Sequence, residues 1–228
     1  MMWKILLGLW LTAVIVCSLL FPIVPSPQHW YEYPVIPGLE ERARILFFHV
    51  PMSWTAVVAF VVSMAYGIKF LVTKNLSADV RSVSSSGLGF LFCLLATLTG
   101  SIWAKFNWGS FWNWDPRETS IFILLLIYGA YFALRSAIDD DMKRATLSAV
   151  YAVIAGVTVP FFIFIMPRIM ASLHPEPLVN SQGQVHMNGS MLTVFLCSLA
   201  GFTALYFWML DLKARSLQLE QSHDEKEH

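Results

Sequence analysis

The sequence is poor in charged residues, which make up only 13% of its 228 positions. A soluble globular domain carries about 25% charged residues. Because 57% of the residues are hydrophobic and the mean hydropathy is +0.60, the composition excludes an ordinary soluble domain and indicates a polytopic membrane protein. The formal net charge of zero argues against nucleic acid as a partner.

Cysteine is also scarce. Cys17, Cys93 and Cys197 all lie inside apolar runs, and no CxxC or CxxCH motif occurs. This pattern excludes a disulfide framework and a covalent haem-attachment motif within the chain. We expect each cysteine to act as a small buried apolar side chain.

Long hydrophobic segments, in contrast, are abundant, and six of them approach the roughly 20 residues that a helix needs to cross a bilayer. They predict an all-α membrane protein with about six transmembrane helices, at about 4–21, 46–72, 84–104, 117–136, 146–167 and 191–211. The first segment lacks a signal-peptide cleavage site, so we interpret it as a retained anchor. We expect one domain over 1–215, followed by a polar, disordered cytoplasmic tail over 216–228.

Positive charges predict how the helices are oriented. They cluster at alternate helix ends, at Lys4, Lys69, Lys74, Arg81, Arg135, Lys143, Arg144, Lys213 and Arg215. The positive-inside rule then predicts that both termini are cytoplasmic. Two long loops, at about 22–45 and 168–190, face outward in this arrangement.

An aromatic stretch at 108–118 also faces outward. Three of the nine tryptophans and one phenylalanine fall within seven residues, at Trp108, Phe111, Trp112 and Trp114. Rigid rings beside polar groups suit a flat, partly apolar ligand at a membrane surface. The alternative is an interfacial aromatic belt, but a belt scatters its rings over many helix ends. The clustering therefore favours a binding platform.

The end of this stretch has the order of a helix start. Asp115 suits the N-cap, Pro116 the first helical position and Glu118 the third, so we expect a helix to begin at Pro116. If the stretch itself forms helical turns, one face would carry Trp108, Phe111, Trp112 and Asp115.

Four of the six histidines are predicted to face outward: His29, His49, His174 and His186. His49 stands at the mouth of the second helix, where an ionisable residue is a functional hypothesis by default. A satisfied interfacial histidine and an ordinary loop histidine are the alternatives for His49 and His174. Beside an aromatic platform, two imidazoles favour axial ligation of haem iron. A zinc site would need three or four ligands at suitable spacing, but the outward face has no cysteine and no HxxxH or HxH pair. Haem therefore fits better than zinc.

The segment from Trp108 to Ser120 resembles the tryptophan-rich WWD signature of bacterial and organellar haem-handling membrane proteins. Together with Gly100–Lys105, His49-Val50-Pro51 and the chain length, it is most similar to the cytochrome c maturation protein C family. The resemblance implies that haem b binds at the outer leaflet of a bacterial inner membrane, with His49 and His174 as iron ligands. It also implies that the porphyrin is held by Trp108, Trp112, Trp114 and Asp115, with Phe111 keeping the ring wall intact.

The resemblance also implies partners. These are a membrane-tethered haem chaperone that receives the haem, a two-subunit ABC transporter and a small single-helix membrane protein. Delivery of haem, rather than enzymatic chemistry, is the expected role. The alternatives are a haem lyase that acts directly on apocytochrome c and, more remotely, a bis-histidine electron-transfer cytochrome.

Haem carries two propionates, and these need cationic or amide partners near a low-dielectric surface. Arg117 and Arg168 are the first candidates among the outward cations, followed by Arg42, Arg44 and Lys105. Either arginine could instead extend to the membrane interface without binding a ligand.

Overall fold

The computed structural model describes residues 2–174 and 187–227, and these residues form an all-α protein. Its helices are α1 (Met2–Leu20), a 3₁₀ helix (Glu40–Phe47), α2 (His49–Thr73), α3 (Leu76–Trp108), α4 (Pro116–Ser136), α5 (Asp141–Pro160), a π-helical turn (Phe161–Ile165), α6 (Met166–Ile169) and α7 (Gly189–Glu227). Two short strands, β1 (Ile23–Val24) and β2 (Tyr33–Pro34), pair in parallel within the first long loop.

The predicted number of transmembrane helices is confirmed. Within the described residues, six helical segments are long and apolar enough to cross a membrane: Met2–Leu20, Glu40–Thr73, Leu76–Trp108, Pro116–Ser136, Asp141–Ile169 and Gly189–Glu220.

Two helices extend well beyond the predicted limits. Helix α3 begins at Leu76, behind an Asn75 cap that accepts from the Ser77 amide, and its serine-rich first turns are buried. Ser63 of α2 bonds there with Ser82 and Ser86, so polar residues pack inside the bundle. Helix α7 continues to Glu227, through the segment expected to be a disordered tail. Before that segment, an Asp211–Arg215 pair bridges successive turns of α7.

Helices α2 and α3 form the centre of the bundle, because they pack against each other and each also packs against α5 and α7. In the core, the Phe60 ring of α2 stacks on the Tyr128 ring of α4 with centroids 3.6 Å apart. Helix α1 lies at the periphery against α7 and leaves Ile5, Leu6 and Leu9 exposed. Such an apolar outer surface suits contact with lipid.

The short connections divide the bundle into two ends. At one end, where α2 turns into α3 and α4 into α5, Asp79 and Arg135 form a buried two-bonded ion pair. The Arg135 Nη1 and Nη2 atoms donate to Asp79 Oδ1 and Oδ2 over 2.8 and 2.6 Å. We call this the basic end, because the predicted cytoplasmic cations lie on it. The other end carries the α3–α4 loop and the start of α2.

The first long loop is a compact cap on that other end. Tyr33 of β2 is fully buried and packs on Phe47, with ring centroids 5.2 Å apart. The Arg44 guanidinium donates to the Ser18 carbonyl at the end of α1, and the Ser198 hydroxyl of α7 donates to the Phe47 carbonyl. These bonds fix the segment that leads into His49.

Candidate functional site

The aromatic stretch is a turn and a loop, not a helix. Gly109 adopts a left-handed conformation, with φ of 81°, and its amide donates to the Lys105 carbonyl. Such a conformation is open to glycine and ends a helix. The expectation that Trp108, Phe111, Trp112 and Asp115 share one helical face is therefore wrong. Trp108 closes α3, and the other three lie in the loop that follows.

The predicted start of α4 is confirmed. Asp115 is the N-cap and accepts from the Arg117 amide over 2.9 Å, while Pro116 takes the first helical position. The Glu118 carboxylate reaches back to accept from the amides of Asp115 and Asn113, over 3.3 and 2.7 Å. This reciprocal capping box fixes the end of the loop.

The loop's remaining rings form a separate group beside α4. Trp112 makes edge-to-face contacts with Trp114 and with Phe122, at centroid distances of 5.9 and 6.0 Å. Trp114 is 70% exposed and has a φ of 56°, a left-handed conformation that costs a tryptophan roughly 1–2 kcal/mol. Phe111 is exposed beneath the Lys105 ammonium, which is 5.6 Å from its ring centre.

His174 lies between two tryptophans at the end of α3. Its imidazole stacks on Trp103 at 6.3 Å between centroids and meets the edge of Trp108 at 4.8 Å. Its Nδ1 lies 2.8 Å from Asp115 Oδ1, and its side chain is 19% exposed. The structure thus brings together three of the predicted site residues: His174, Trp108 and Asp115.

Trp103 was not among the predicted site residues. It belongs to the Gly100–Lys105 segment, one helical turn and a half before Trp108. Extending α3 backwards from the aromatic stretch would have placed both rings at the same helix end. Its indole nitrogen donates to the Arg42 carbonyl over 3.1 Å, which orients the ring that His174 contacts.

Asp115 also holds the segment that leads to His174. Its second oxygen, Oδ2, accepts from the Ser172 hydroxyl over 2.8 Å and from the Leu173 amide over 2.6 Å. The side chain is fully buried. Burial alone would raise the pKa of Asp115, but hydrogen bonds from Arg117, Leu173 and Ser172 bring that pKa below its usual value. The carboxylate is therefore charged.

The protonation of His174 follows from this neighbour. Burial lowers the pKa of His174 more than the attraction of Asp115 raises it, so the imidazole is neutral at neutral pH. A charged carboxylate only accepts hydrogen bonds, so the single ring proton lies on Nδ1. The Nε2 atom keeps its lone pair, which is the form that can bind a metal.

His49 is the first residue of α2 and packs against Gly100 of α3. A Cβ atom at Gly100 would lie 2.8 Å from His49 Cε1, so the imidazole occupies space that only glycine leaves open. The Nδ1 atom lies 3.1 Å from the Thr99 hydroxyl, which itself donates to the Leu95 carbonyl over 2.8 Å. The ring is also hydrogen-bonded to the Ala96 carbonyl, so both hydrogen-bond partners of His49 are neutral groups of α3.

The two histidines lie near one another at this end of the bundle. His49 interacts electrostatically with His174 and with Arg117. Both imidazoles are thus near the start of α4 and the outer end of α3, and both are hydrogen-bonded at Nδ1. The structure brings His49, His174 and Arg117 together, while Trp112 and Trp114 form the neighbouring group.

The outward cations differ in their contacts. Arg42 donates to the Phe106 carbonyl and pairs with Glu40, Arg44 pairs with Glu41, and Lys105 donates to the Gly109 carbonyl. Arg168 is exposed and donates to the Phe164 carbonyl one turn before it. Arg117 is partly buried, close enough to Asp115 and Arg168 to interact with both charges.

Two further histidines, His29 and His186, were predicted to face outward, and the structure describes only His29. His29 is exposed and stacks on Tyr31 with ring planes 4° apart, in the first long loop. His186 lies outside the described residues, as does the Pro-Glu-Pro segment at 175–177.

Sequence comparisons identify the family of this chain. The sequence model described as "Heme exporter protein C" matches residues 4–228. The "Heme exporter protein C" of Bradyrhizobium diazoefficiens is 31% identical over 188 residues, which cover 78% of this chain and 71% of that protein. The protein of the same name from Rhodobacter capsulatus is 26% identical over 207 residues, covering 91% and 84%.

A plant relative extends the comparison to mitochondria. The "Putative cytochrome c biosynthesis ccmC-like mitochondrial protein" of Marchantia polymorpha is 29% identical over 170 residues, covering 73% of this chain and 71% of that protein. The match to the family model spans all six helical segments and both histidines. The chain belongs to the heme exporter protein C family.

Proposed function

We propose that this protein binds haem b at the periplasmic face of a bacterial inner membrane and hands it to a membrane-tethered haem chaperone. Haem is the cargo in this proposal, and His49 and His174 ligate its iron. The observation that carries the proposal is the pair of imidazoles at one end of the bundle, each with its Nδ1 atom hydrogen-bonded to a neighbouring side chain.

The chemistry of the donors fits haem. Neutral imidazole nitrogen is the common axial ligand of haem iron. Trp103 and Trp108 pack beside His174, while the exposed rings of Phe111 and Trp114 offer apolar surface nearby. Apolar rings favour a porphyrin by dispersion and by removal from water.

The orientation follows from charge. Cations cluster at the basic end, at positions that include Lys69, Lys74, Lys143 and Arg144, so the positive-inside rule places that end in the cytoplasm. Both termini then lie in the cytoplasm, and the histidines face the periplasm. Haem bound there is accessible to a chaperone anchored in the same membrane.

Partners follow from family membership. Relatives carry the name heme exporter, and the proposal includes a two-subunit ABC transporter and a small single-helix membrane protein as components of the complex. The covalent chemistry of haem attachment takes place on the partner. A haem lyase that acts on apocytochrome c is the rival that an experiment must exclude.

The propionates are assigned to Arg117 and Arg168. Arg117 interacts electrostatically with both His49 and His174, and Arg168 interacts with Arg117, so these two cations lie close to the proposed iron ligands. Haem retention by an Arg117→Ala, Arg168→Ala double variant is the test. We expect faster haem loss than from a control variant at the basic end, Arg215→Ala, which removes an exposed cation of α7, and equal loss from both proteins would refute this assignment.

Partner specificity tests the function. The protein is purified from cells that hold haem, a tagged haem chaperone and a tagged apocytochrome c. Delivery predicts that haem and the chaperone co-purify with the protein, and that a His174→Ala variant retains less of both. Co-purification of apocytochrome c in place of the chaperone would establish the haem lyase instead.

A further inference from the structure

Asp115 has more partners than a helix cap requires. An N-cap carboxylate needs to accept from one or two amides of its own helix. Here the carboxylate accepts from two such amides, those of Arg117 and Glu118. It also accepts from His174 Nδ1 through Oδ1, and from Ser172 and Leu173 through Oδ2. These last three bonds reach across more than 50 residues to the segment that carries His174.

The bond to His174 is of a kind that tunes metal ligands. Histidines that bind metals commonly donate their other ring proton to a carboxylate, carbonyl or water, which fixes the tautomer and raises the basicity of the ligating nitrogen. The Asp115 carboxylate is fully buried and 2.8 Å from Nδ1. Charge-assisted bonds of this type are about twice as strong as neutral ones.

His49 has a weaker partner at the same ring position. The Thr99 hydroxyl is neutral, lies 3.1 Å from Nδ1, and donates its own proton to a backbone carbonyl of α3. With its proton on that carbonyl, the hydroxyl oxygen can accept the Nδ1 proton and so favour the same tautomer. The other hydrogen-bond partner of this ring, the Ala96 carbonyl, is also uncharged. The two histidines present equivalent Nε2 atoms with unequal electron donation.

We propose that Asp115 is a positioning residue that fixes the Nδ1–H tautomer of His174 and makes it the stronger of two unequal iron ligands. His49, backed by Thr99, is the weaker ligand and the one that leaves first when haem is handed over. Asp115 acts on haem through His174 and does not touch it. This inference rests on the proposed function for the identity of the ligand but not for the tautomer.

The tautomer is tested on the haem-free protein. Nitrogen-15 NMR of histidine-labelled protein, with signals assigned from His49→Ala and His174→Ala variants, reads the proton position on each ring. We expect protonated Nδ1 and bare Nε2 at both positions. A proton on Nε2 of His174 would overturn the proposal, whether or not the protein binds haem.

The inequality is tested with conservative variants of the haem-bound protein. Asp115→Asn keeps an N-cap acceptor, but an amide can accept on only one of the two sides that the carboxylate serves. We expect haem to dissociate about 10–100-fold faster and the iron reduction potential to rise, because His174 donates less charge. Thr99→Val should speed dissociation only about fivefold.

Glu118→Gln is the matched control. Glutamine can replace glutamate in a capping box, and Glu118 bonds to the amides of Asp115 and Asn113. The control should leave the reduction potential at the wild-type value. If Asp115→Asn behaves like Glu118→Gln, the role of Asp115 is capping alone. If Thr99→Val shifts the potential as much as Asp115→Asn, the ligands are equal and the proposal fails.

Haem retention by single variants tests which histidine releases the iron first. Because His174 is the stronger ligand, the His49→Ala variant should retain more haem after purification than the His174→Ala variant. Greater retention by His174→Ala would reverse the assignment. If the wild-type protein itself holds no haem, the proposed function fails while the NMR result stands.

Discussion

Two buried aspartates occupy opposite ends of this bundle and have different environments. Asp79 lies within α3 and meets a permanent positive charge, the Arg135 guanidinium of α4, through two parallel bonds. Asp115 lies at a loop–helix junction and meets three amides, a hydroxyl and an imidazole that is neutral. The Asp79–Arg135 pair joins two regular helices, whereas most partners of Asp115 lie in the irregular segment that carries His174.

The partners of the two aspartates, Arg135 and His174, differ in whether they can also bind a ligand. A guanidinium cannot lose its proton in a protein and has no lone pair for a ligand, so the Asp79–Arg135 pair only joins helices. A neutral imidazole keeps one nitrogen available. The end that holds it also contains the left-handed Trp114, the Gly109 turn and exposed aromatic rings. Such local irregularity is typical of ligand sites.

The largest effect is expected at the basic end. Arg135→Ala leaves the buried Asp79 charge without its partner, which should lower the free energy of unfolding by about 3–5 kcal/mol. Chemical denaturation in mixed micelles measures this free energy of unfolding. The exposed Arg144–Asp141 pair provides the control, because Arg144→Ala should cost about 1 kcal/mol or less. Equal losses in the two variants would contradict a structural role for Arg135.

A second variant targets the other end. Gly100→Ala places a methyl group 2.8 Å from His49 Cε1 and must displace the imidazole. Overpacking of this kind costs about 1–3 kcal/mol, and the displaced ring should no longer ligate iron. The measurement is the fraction of low-spin haem. At Gly129 a methyl group would meet no atom within 4 Å, so Gly129→Ala should keep the wild-type spectrum.

The aromatic rings should matter less than the imidazoles. Aromatic contacts are worth roughly 0.5–1.5 kcal/mol beyond burial, so Trp112→Ala should speed haem loss by about tenfold or less while the bis-histidine spectrum persists. Trp3→Ala, at the start of α1 beside Trp208, is the control. If Trp112→Ala releases haem no faster than Trp3→Ala, the stretch is an interfacial belt.

The smallest effect concerns the backbone of the loop. Trp114→Ala and Trp114→Gly lose the same ring, but only glycine adopts the φ of 56° without strain. The glycine variant should be the more stable of the two by about 1 kcal/mol. Thermal unfolding compares them. A more stable alanine variant would mean that the loop relaxes when the ring is lost.

Local signals in the sequence predicted part of this account. Apolar length gave the six helices, and the Asp-Pro-Arg-Glu order gave the start of α4, because both depend on neighbouring residues. The start of α3 was missed because its serines are polar and yet buried against α2. Hydropathy does not distinguish a buried serine cluster from a loop.

The contacts within the site could not be read from the sequence. Asp115 and His174 are 59 positions apart, and no local pattern in either segment predicts a contact with the other. The resemblance to a haem-handling family selected His49 and His174, but the roles of Trp103, Gly100 and Thr99 depend on how α3 packs against α2 and the loops. Only the folded chain gives these relations.

The absorption spectrum of the purified protein is the most direct test of the central claim that His49 and His174 ligate haem iron. The wild-type protein should show a low-spin bis-histidine spectrum, and His49→Ala and His174→Ala should each lose it. Addition of free imidazole to either variant should restore part of the spectrum. If both single variants keep the wild-type haem content and spectrum, the axial ligands lie elsewhere, and His29 and His186 become the next candidates.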